Sequence, residues 1–237
     1  MNYFRSNKYV DFFTKEYMMG PNCLRLADEL LEKSPVSLRR RVMDLGAGSG
    51  LVSMFVAKET GAAVISVDLW SNPTDNQRRL EKWGVGDKTL AVQLDAAKGL
   101  PFGMESFDGI ISVDAYHYFA CKEGFFTEKI LPLIKPGGVA LIAVPGLKEE
   151  KEPSPAMLEW GGEEDCATFH SRSWWEKTLG VNPDEATVHT WEMECNDMAW
   201  QEWFASGHEY GLRDQEYLEA GVKENMALLG ICVIKKG

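Results

Sequence analysis

The chain has 237 residues, 45% of them hydrophobic and 26% charged, enough to bury one substantial core. Its formal charge of −11 is spread along the chain and no Lys/Arg-rich stripe stands out. Nucleic acid and anionic membrane surfaces, both bound through basic residues, are therefore not expected partners. The five cysteines (Cys23, Cys121, Cys166, Cys195, Cys232) are widely separated and form no C-x-x-C pair, which predicts reduced thiols in a cytoplasmic protein. Met1 to Lys15 lacks the apolar run of a signal peptide, and no stretch approaches the ~20 apolar residues of a membrane span.

In chain order, Tyr3 to Leu31 reads as helical pieces broken at Met19-Gly20-Pro21-Asn22, with Pro21 placed in the first turn of the second piece. Short β-rich runs then alternate with helical ones. Strands are expected at Arg40 to Leu45, Ala63 to Val67, Thr89 to Leu94, Gly109 to Val113 and Val139 to Val144. Helices are expected at Ser49 to Thr60, Pro73 to Trp83 and Lys122 to Leu133. This alternation is that of βαβ units around a parallel sheet. The composition changes after Leu147, where Lys148 to Pro155 reads as an exposed connector. Met157 to Gly180, with Trp160, Phe169, Trp174 and Trp175, reads as an inserted cap. Thr187 to Cys195 and Ala227 to Lys235 read as strands, separated by helices at Asp197 to Gly207 and Arg213 to Asn225. The last strand returns antiparallel and closes a seven-stranded α/β sheet with helices on both faces. The division predicted is one domain: an N-terminal helical lid (1–35), a core (40–146), the cap (147–186) and a C-terminal part (187–237).

The first strand ends in Asp44-x-Gly46-x-Gly48-x-Gly50 and turns directly into a helix. Glycines there accept positive φ and let a ligand approach the backbone, and the free N–H groups of the new helix form a polar cradle. A dinucleotide site needs G-x-G-x-x-G. Counted from Gly46 the sixth residue is Leu51, so that fingerprint fails. A ligand bearing a carboxylate and an amine suits the loop better than a pyrophosphate. Asp68, closing the second strand, stands where an acidic residue of this topology meets a ribose diol. Asp95 ends the third strand, where it can accept from an adenine amino group with Leu69, Trp70 and Ala96 around the ring.

Val42 to Gly50, Val67-Asp68, Leu94-Asp95, Phe102 to Phe119 and Leu131 to Pro145 resemble the successive motifs of class I S-adenosylmethionine-dependent methyltransferases, of the type 11 kind related to ubiquinone/menaquinone-biosynthesis and cyclopropane-fatty-acid-synthase-like enzymes. The resemblance covers Arg40 to Gly146, under half the chain. It implies a Rossmann-like sheet binding S-adenosyl-L-methionine, with Gly46, Gly48 and Gly50 at the methionine moiety and Asp44, Ala47, Leu69 and Val113 as further candidate cofactor-binding residues. Asp68 would then lie at the ribose, and Asp95 and Ala96 at the adenine. No Asn/Asp-Pro-Pro-Tyr element is present, which argues against methylation of DNA adenine or protein amides.

Two candidate catalytic residues follow the fourth strand. Asp114 is delivered to the sheet's C-terminal edge, and His117, which titrates near neutrality in water, is either a general base or a helix-start hydrogen-bonding residue. Tyr17, Tyr116, Trp174 and Trp200 are candidate acceptor-binding residues, with the tryptophans forming either a cage for a flat or cationic acceptor or the packing of the cap. Tyr9, Tyr17 and Met18-Met19 are expected to fold over the cofactor. The four histidines show no ligand spacing, so no metal is expected. The reading is a methyltransferase for a small-molecule acceptor with an O, N or C nucleophile, and it leaves a homodimer open. The alternatives are a non-catalytic S-adenosylmethionine-binding module and, against the loop's spacing, a nicotinamide-dependent oxidoreductase.

Overall fold

A computed structural model describes residues 2–237. Seven strands, β1 (Arg41–Leu45), β2 (Ala63–Asp68), β3 (Thr89–Gln93), β4 (Phe107–Val113), β5 (Ile134–Leu147), β6 (Ala186–Glu192) and β7 (Met226–Lys235), form one sheet in the order β3-β2-β1-β4-β5-β7-β6. The first five run parallel and β7 is antiparallel to both neighbours. The order reverses between β1 and β4, and there the crevice outside the strands' C-terminal ends opens. The fold is the seven-stranded one expected from the alternation of elements.

Helices α1 (Cys23–Lys33), α2 (Leu51–Thr60), α3 (Pro73–Lys82), α4 (His117–Ala120), α5 (Pro155–Cys166), α6 (Arg172–Leu179), α7 (Asn196–Ala205) and α8 (Glu209–Glu219) flank the sheet. One core lies under α1, α2 and α7, where Leu24, Phe55, Val139 and Trp203 are buried. The other lies on the opposite face, where Phe107, Phe126, Ile142 and Trp175 pack. Burial of apolar strand faces on both sides explains why β1, β4 and β5 read as nearly continuous hydrophobic runs.

Several boundaries differ from the sequence reading. Lys122 to Leu133 is not one helix. It narrows to a wide turn at Phe126–Ile130 and a tight turn at Leu131–Leu133, because Pro132 has no N–H and crowds the preceding turn. α1 begins after Pro21 rather than on it: Asn22 is the cap and its side chain accepts from the Leu24 N–H. α8 starts at Glu209, four residues earlier than expected, with His208 accepting from the Tyr210 N–H. β5 extends through Pro145 to Leu147, since its edge toward β7 demands hydrogen bonds along the whole length.

The N-terminal segment is anchored. Ser6 donates through N–H and Oγ–H to Asp28, Arg5 pairs with Asp28 and Glu32, and the Tyr3 hydroxyl donates to buried Glu29. Glu29 also accepts from Trp191 Nε1 and from the Glu194 and Cys195 N–H groups, stitching α1 to the connection after β6.

Candidate active site

The strand-to-helix turn after β1 is held from three sides. Gly46 and Ala47 donate to the Val67 carbonyl, tying the loop to β2. Asp68 Oδ2 accepts from the Gly48 N–H at 2.9 Å. From below, buried Asp44 accepts from Ser53 Oγ at 2.6 Å. Burial, with the charge of Asp68 adding to it, raises Asp44 to about 7, while the Ser53 bond works the other way. Gly46, Gly48 and Gly50 all have φ between 52° and 88°, the left-handed region that glycine enters without a Cβ penalty. At Gly46 a Cβ would also stand 2.2 Å from Ala115 Cβ.

Three cavities meet above this turn. The first, about 460 Å³, is lined by Gly46, Asp68, Leu69, Trp70, Asp95, Ala96 and Tyr118 among others. Asp68 stands at its wall, its Oδ1 accepting from the Trp70 and Ser71 N–H groups, so β2 leads into a loop shaped by that carboxylate. Asp95 accepts from the Ala97 N–H and pairs with Lys98, which holds its carboxyl below the usual range. Trp70 and Tyr118 meet edge to face at 5.8 Å across the opening. The slot has an acidic rim and flat apolar walls, the chemistry an adenosine requires.

The second is a narrow groove of about 120 Å³ between Tyr17–Pro21 on one side and Gly46–Ser49, Val113 and Asp114 on the other. Ser49 Oγ donates to the Tyr17 carbonyl, closing it. The third is a chamber of about 340 Å³ lined by Gly20, Asp114, His117, Trp160, Trp200 and Asp214 among others. Gly46 is shared by the slot and the groove, Met19–Pro21 and Asp114 by the groove and the chamber, and Tyr118 by the slot and the chamber. The residues thus fit S-adenosylmethionine: an adenosine slot joined at a glycine with no room for a side chain to a groove walled by backbone.

Asp114 directly follows β4 with φ 54°, outside the ordinary regions for a side-chain-bearing residue, although aspartate tolerates it better than most. Burial, and next the charge of Asp214, raise it to about 8. His117 does not titrate near neutrality as expected for a base. It is 1% exposed, burial lowers it to about 3, and its Nδ1 has no hydrogen-bond partner.

The other expected site residues separate into those at the crevice and those behind it. Ala47, Gly48 and Val113 line the groove, Leu69, Asp95 and Ala96 the slot, Tyr17 the groove and Trp200 the chamber. Asp44 and Gly50 line none of the three: Asp44 braces the loop from beneath, and Gly50 caps α2 with its Cα toward Leu80. Tyr116 turns into the core, 1% exposed, against Phe119, Phe125 and Trp175. Trp174 stacks on His170 at 3.5 Å, outside the chamber. Tyr9 likewise leaves the cofactor region, its hydroxyl donating to Glu59 and its ring packing on Phe55. Sequence reasoning missed Gly20, Phe169, Arg213 and Asp214, which reach the chamber from three separate segments. The spacing Trp160–Phe169 is no helical or strand repeat, so no local pattern marks them.

The fold is a Rossmann-like seven-stranded sheet with its crevice at the point where the strand order reverses. Residues 42–138 match the family model for a methyltransferase domain. A stretch of 120 residues is 28% identical to the methyltransferase GfsG of Streptomyces halstedii, covering 50% of this chain and 42% of that protein. Another, of 138 residues, is 32% identical to the erythromycin 3''-O-methyltransferase of Saccharopolyspora erythraea, covering 56% of this chain and 44% of that one. The matches thus span less than half the length of these curated relatives. Among solved structures, phosphoethanolamine N-methyltransferase 2 of Haemonchus contortus in complex with S-adenosyl-L-methionine superposes with a TM-score of 0.74 at 18% identity, over 99% of this chain and 57% of that one. At that identity the likeness is one of fold. Among the described residues no helix is long and apolar enough to cross a membrane.

Proposed function

We propose that the protein transfers the methyl group of S-adenosylmethionine to a small molecule held in the aromatic chamber. The observation that carries this is the convergence of slot, groove and chamber on Gly46, Asp114 and Tyr118. In this reading Gly46, Ala47, Gly48, Val113 and Tyr17 flank the methionine part, Asp68 the ribose, and Leu69, Asp95 and Ala96 the adenine. Bound S-adenosylmethionine supplies an electrophilic methyl on a sulfonium. The chain's own task is to hold an acceptor in line and exclude water, and positioning of this kind accounts for a large part of the acceleration of such a displacement. Asp114 stands where chamber and groove meet, His117 lines the chamber, and Trp200 and Trp160 form the chamber's apolar walls. The scattered free cysteines support a cytoplasmic setting.

Calorimetry with S-adenosylmethionine and S-adenosylhomocysteine tests the cofactor half, and an acceptor screen scored by S-adenosylhomocysteine release tests the transfer. Binding of both, with acceptor-dependent release, is expected. Absence of binding to either would overturn the reading, and binding with no release from any acceptor class would leave a non-catalytic module.

A further inference from the structure

The chamber beyond the groove has a marked chemical bias. Three carboxylates, Asp114, Asp165 and Asp214, line it against one guanidinium, Arg213. Arg213 is turned toward the Trp160 carbonyl, to which it donates, and toward the Tyr217 ring. Asp214 is committed as well: its two oxygens accept from Trp160 Nε1 and Trp203 Nε1, each at 2.8 Å, which fixes the aromatic wall. Trp160 stacks on Phe169 at 5.7 Å and meets Trp200 edge-on at 6.5 Å.

Asp114 differs from its neighbours. Its backbone N–H donates to the Ala143 carbonyl, but its carboxylate accepts from no described residue. Position 20 leaves it room, because a Cβ there would lie 2.3 Å from Asp114 Oδ2. Beside it in the chamber wall is the neutral imidazole of His117, which is 99% buried and has no partner at Nδ1. A half-buried carboxylate with no partner, beside a buried imidazole with none at Nδ1, is costly unless a ligand completes the site.

We propose, building on the methyltransferase reading, that the acceptor is a basic amine whose ammonium group sits against Asp114, with its carbon skeleton between the Trp160, Phe169 and Trp200 rings. A cation supplies the counter-charge that this desolvated carboxylate lacks, and the aromatic faces attract it further. The raised proton affinity of Asp114 also suits it to take a proton from the ammonium. The freed nitrogen lone pair then forms the C–N bond as the S–C bond breaks, with that bond's electrons staying on sulfur and cancelling the sulfonium charge. His117, neutral, is the positioning residue: it accepts a second N–H and sets the nitrogen's orientation.

The test uses two matched pairs of probes, phenethylamine with 2-phenylethanol and hexylamine with 1-hexanol, titrated into the protein saturated with S-adenosylhomocysteine. At least one amine should bind about ten-fold or more tighter than its alcohol. Asp114→Asn, which preserves shape and tolerates the left-handed backbone, should bring each pair to within about two-fold while S-adenosylhomocysteine affinity holds. Amines and alcohols binding alike to the unaltered protein would overturn the proposal, and this arm needs no variant. So would an amine preference that survives Asp114→Asn, or loss of S-adenosylhomocysteine binding in that variant, which would assign the carboxylate to the cofactor's own amino group. Failure of the unaltered protein to bind S-adenosylhomocysteine at all would instead overturn the cofactor reading underneath.

Discussion

Gly46 Cα faces Ala115 Cβ across the mouth of the crevice so closely that any Cβ at position 46 would stand 2.2 Å from it. The turn after β1 and the turn after β4 are therefore fitted to each other, and the slot and groove join at that contact. Gly46→Ala should cost about 1–2 kcal/mol from the positive φ alone, with displacement of the Ala115 segment in addition. The expected outcome is a folded protein with S-adenosylhomocysteine binding lost in calorimetry. Binding that survives would mean the two turns can separate without harm to the site.

Asp68 supports three backbone N–H groups, those of Gly48, Trp70 and Ser71, as well as lining the slot. Asp68→Ala removes the shared acceptor and releases both loops. Cofactor affinity should fall roughly 100-fold, the equivalent of one or two charge-assisted hydrogen bonds. Asp68→Asn keeps an acceptor for some of these donors and should retain part of the affinity. Equal losses in the two variants would show that the charge, not the loop geometry, matters.

Stability should decline as pH rises past neutrality. A carboxyl whose folded pKa lies above its unfolded value of about 4 binds more protons in the native state, so it loses stability as pH climbs toward the folded value. Asp44 extends this window to about 7 and Asp114 to about 8. His117 acts in the opposite direction. Lowered to about 3 by burial, it stays neutral while the unfolded chain takes a proton below about 6.5, so its contribution is lost as pH falls from there. Between about 6.5 and 8 only the carboxyls act. Thermal midpoints of the ligand-free protein should fall across that range, and Asp114→Asn should flatten the fall above 7. On the acid side His117→Leu, which keeps the bulk, should lessen the loss. A flat profile in the unaltered protein would count against the burial of both carboxyls.

Asp214 is the latch of the aromatic wall. Asp214→Leu leaves the Trp160 and Trp203 indole N–H groups without acceptors. Each unpaired buried donor costs about 1–3 kcal/mol, and a Tm decrease on the order of 10 °C is expected for a chain of this size. S-adenosylhomocysteine affinity should change little, because Asp214 lines the chamber but neither slot nor groove. A matching loss of cofactor binding would mean that α8 supports the whole crevice.

The local sequence was sufficient for the sheet and for most of the residues that line the slot and the groove. β1, β2 and β4 are short runs of mostly buried residues between helix signals, and Gly46, Gly48 and Asp68 lie within a few residues of strand ends, where backbone chemistry alone dictates glycine or an acid. The sequence by itself therefore determined the seven strands, their alternation with most of the helices, and the kind of cofactor the glycine loop suits. Side-chain direction at Asp44, Tyr116 and Trp174 was not legible. Whether a residue beside a turn faces the crevice or the core depends on the packing of the opposite face, and Tyr116 is drawn inward by Phe125 and Trp175. The protonation of His117 was hidden for the same reason, because desolvation is a property of everything around a ring. Only the tertiary structure brought Gly20, Asp114, Trp160, Trp200 and Asp214 to one chamber, from segments nearly two hundred residues apart. That gathering is set by the β4 to β5 edge and by the packing of α5, α7 and α8 against one another, contacts of long range that no periodicity along the chain records.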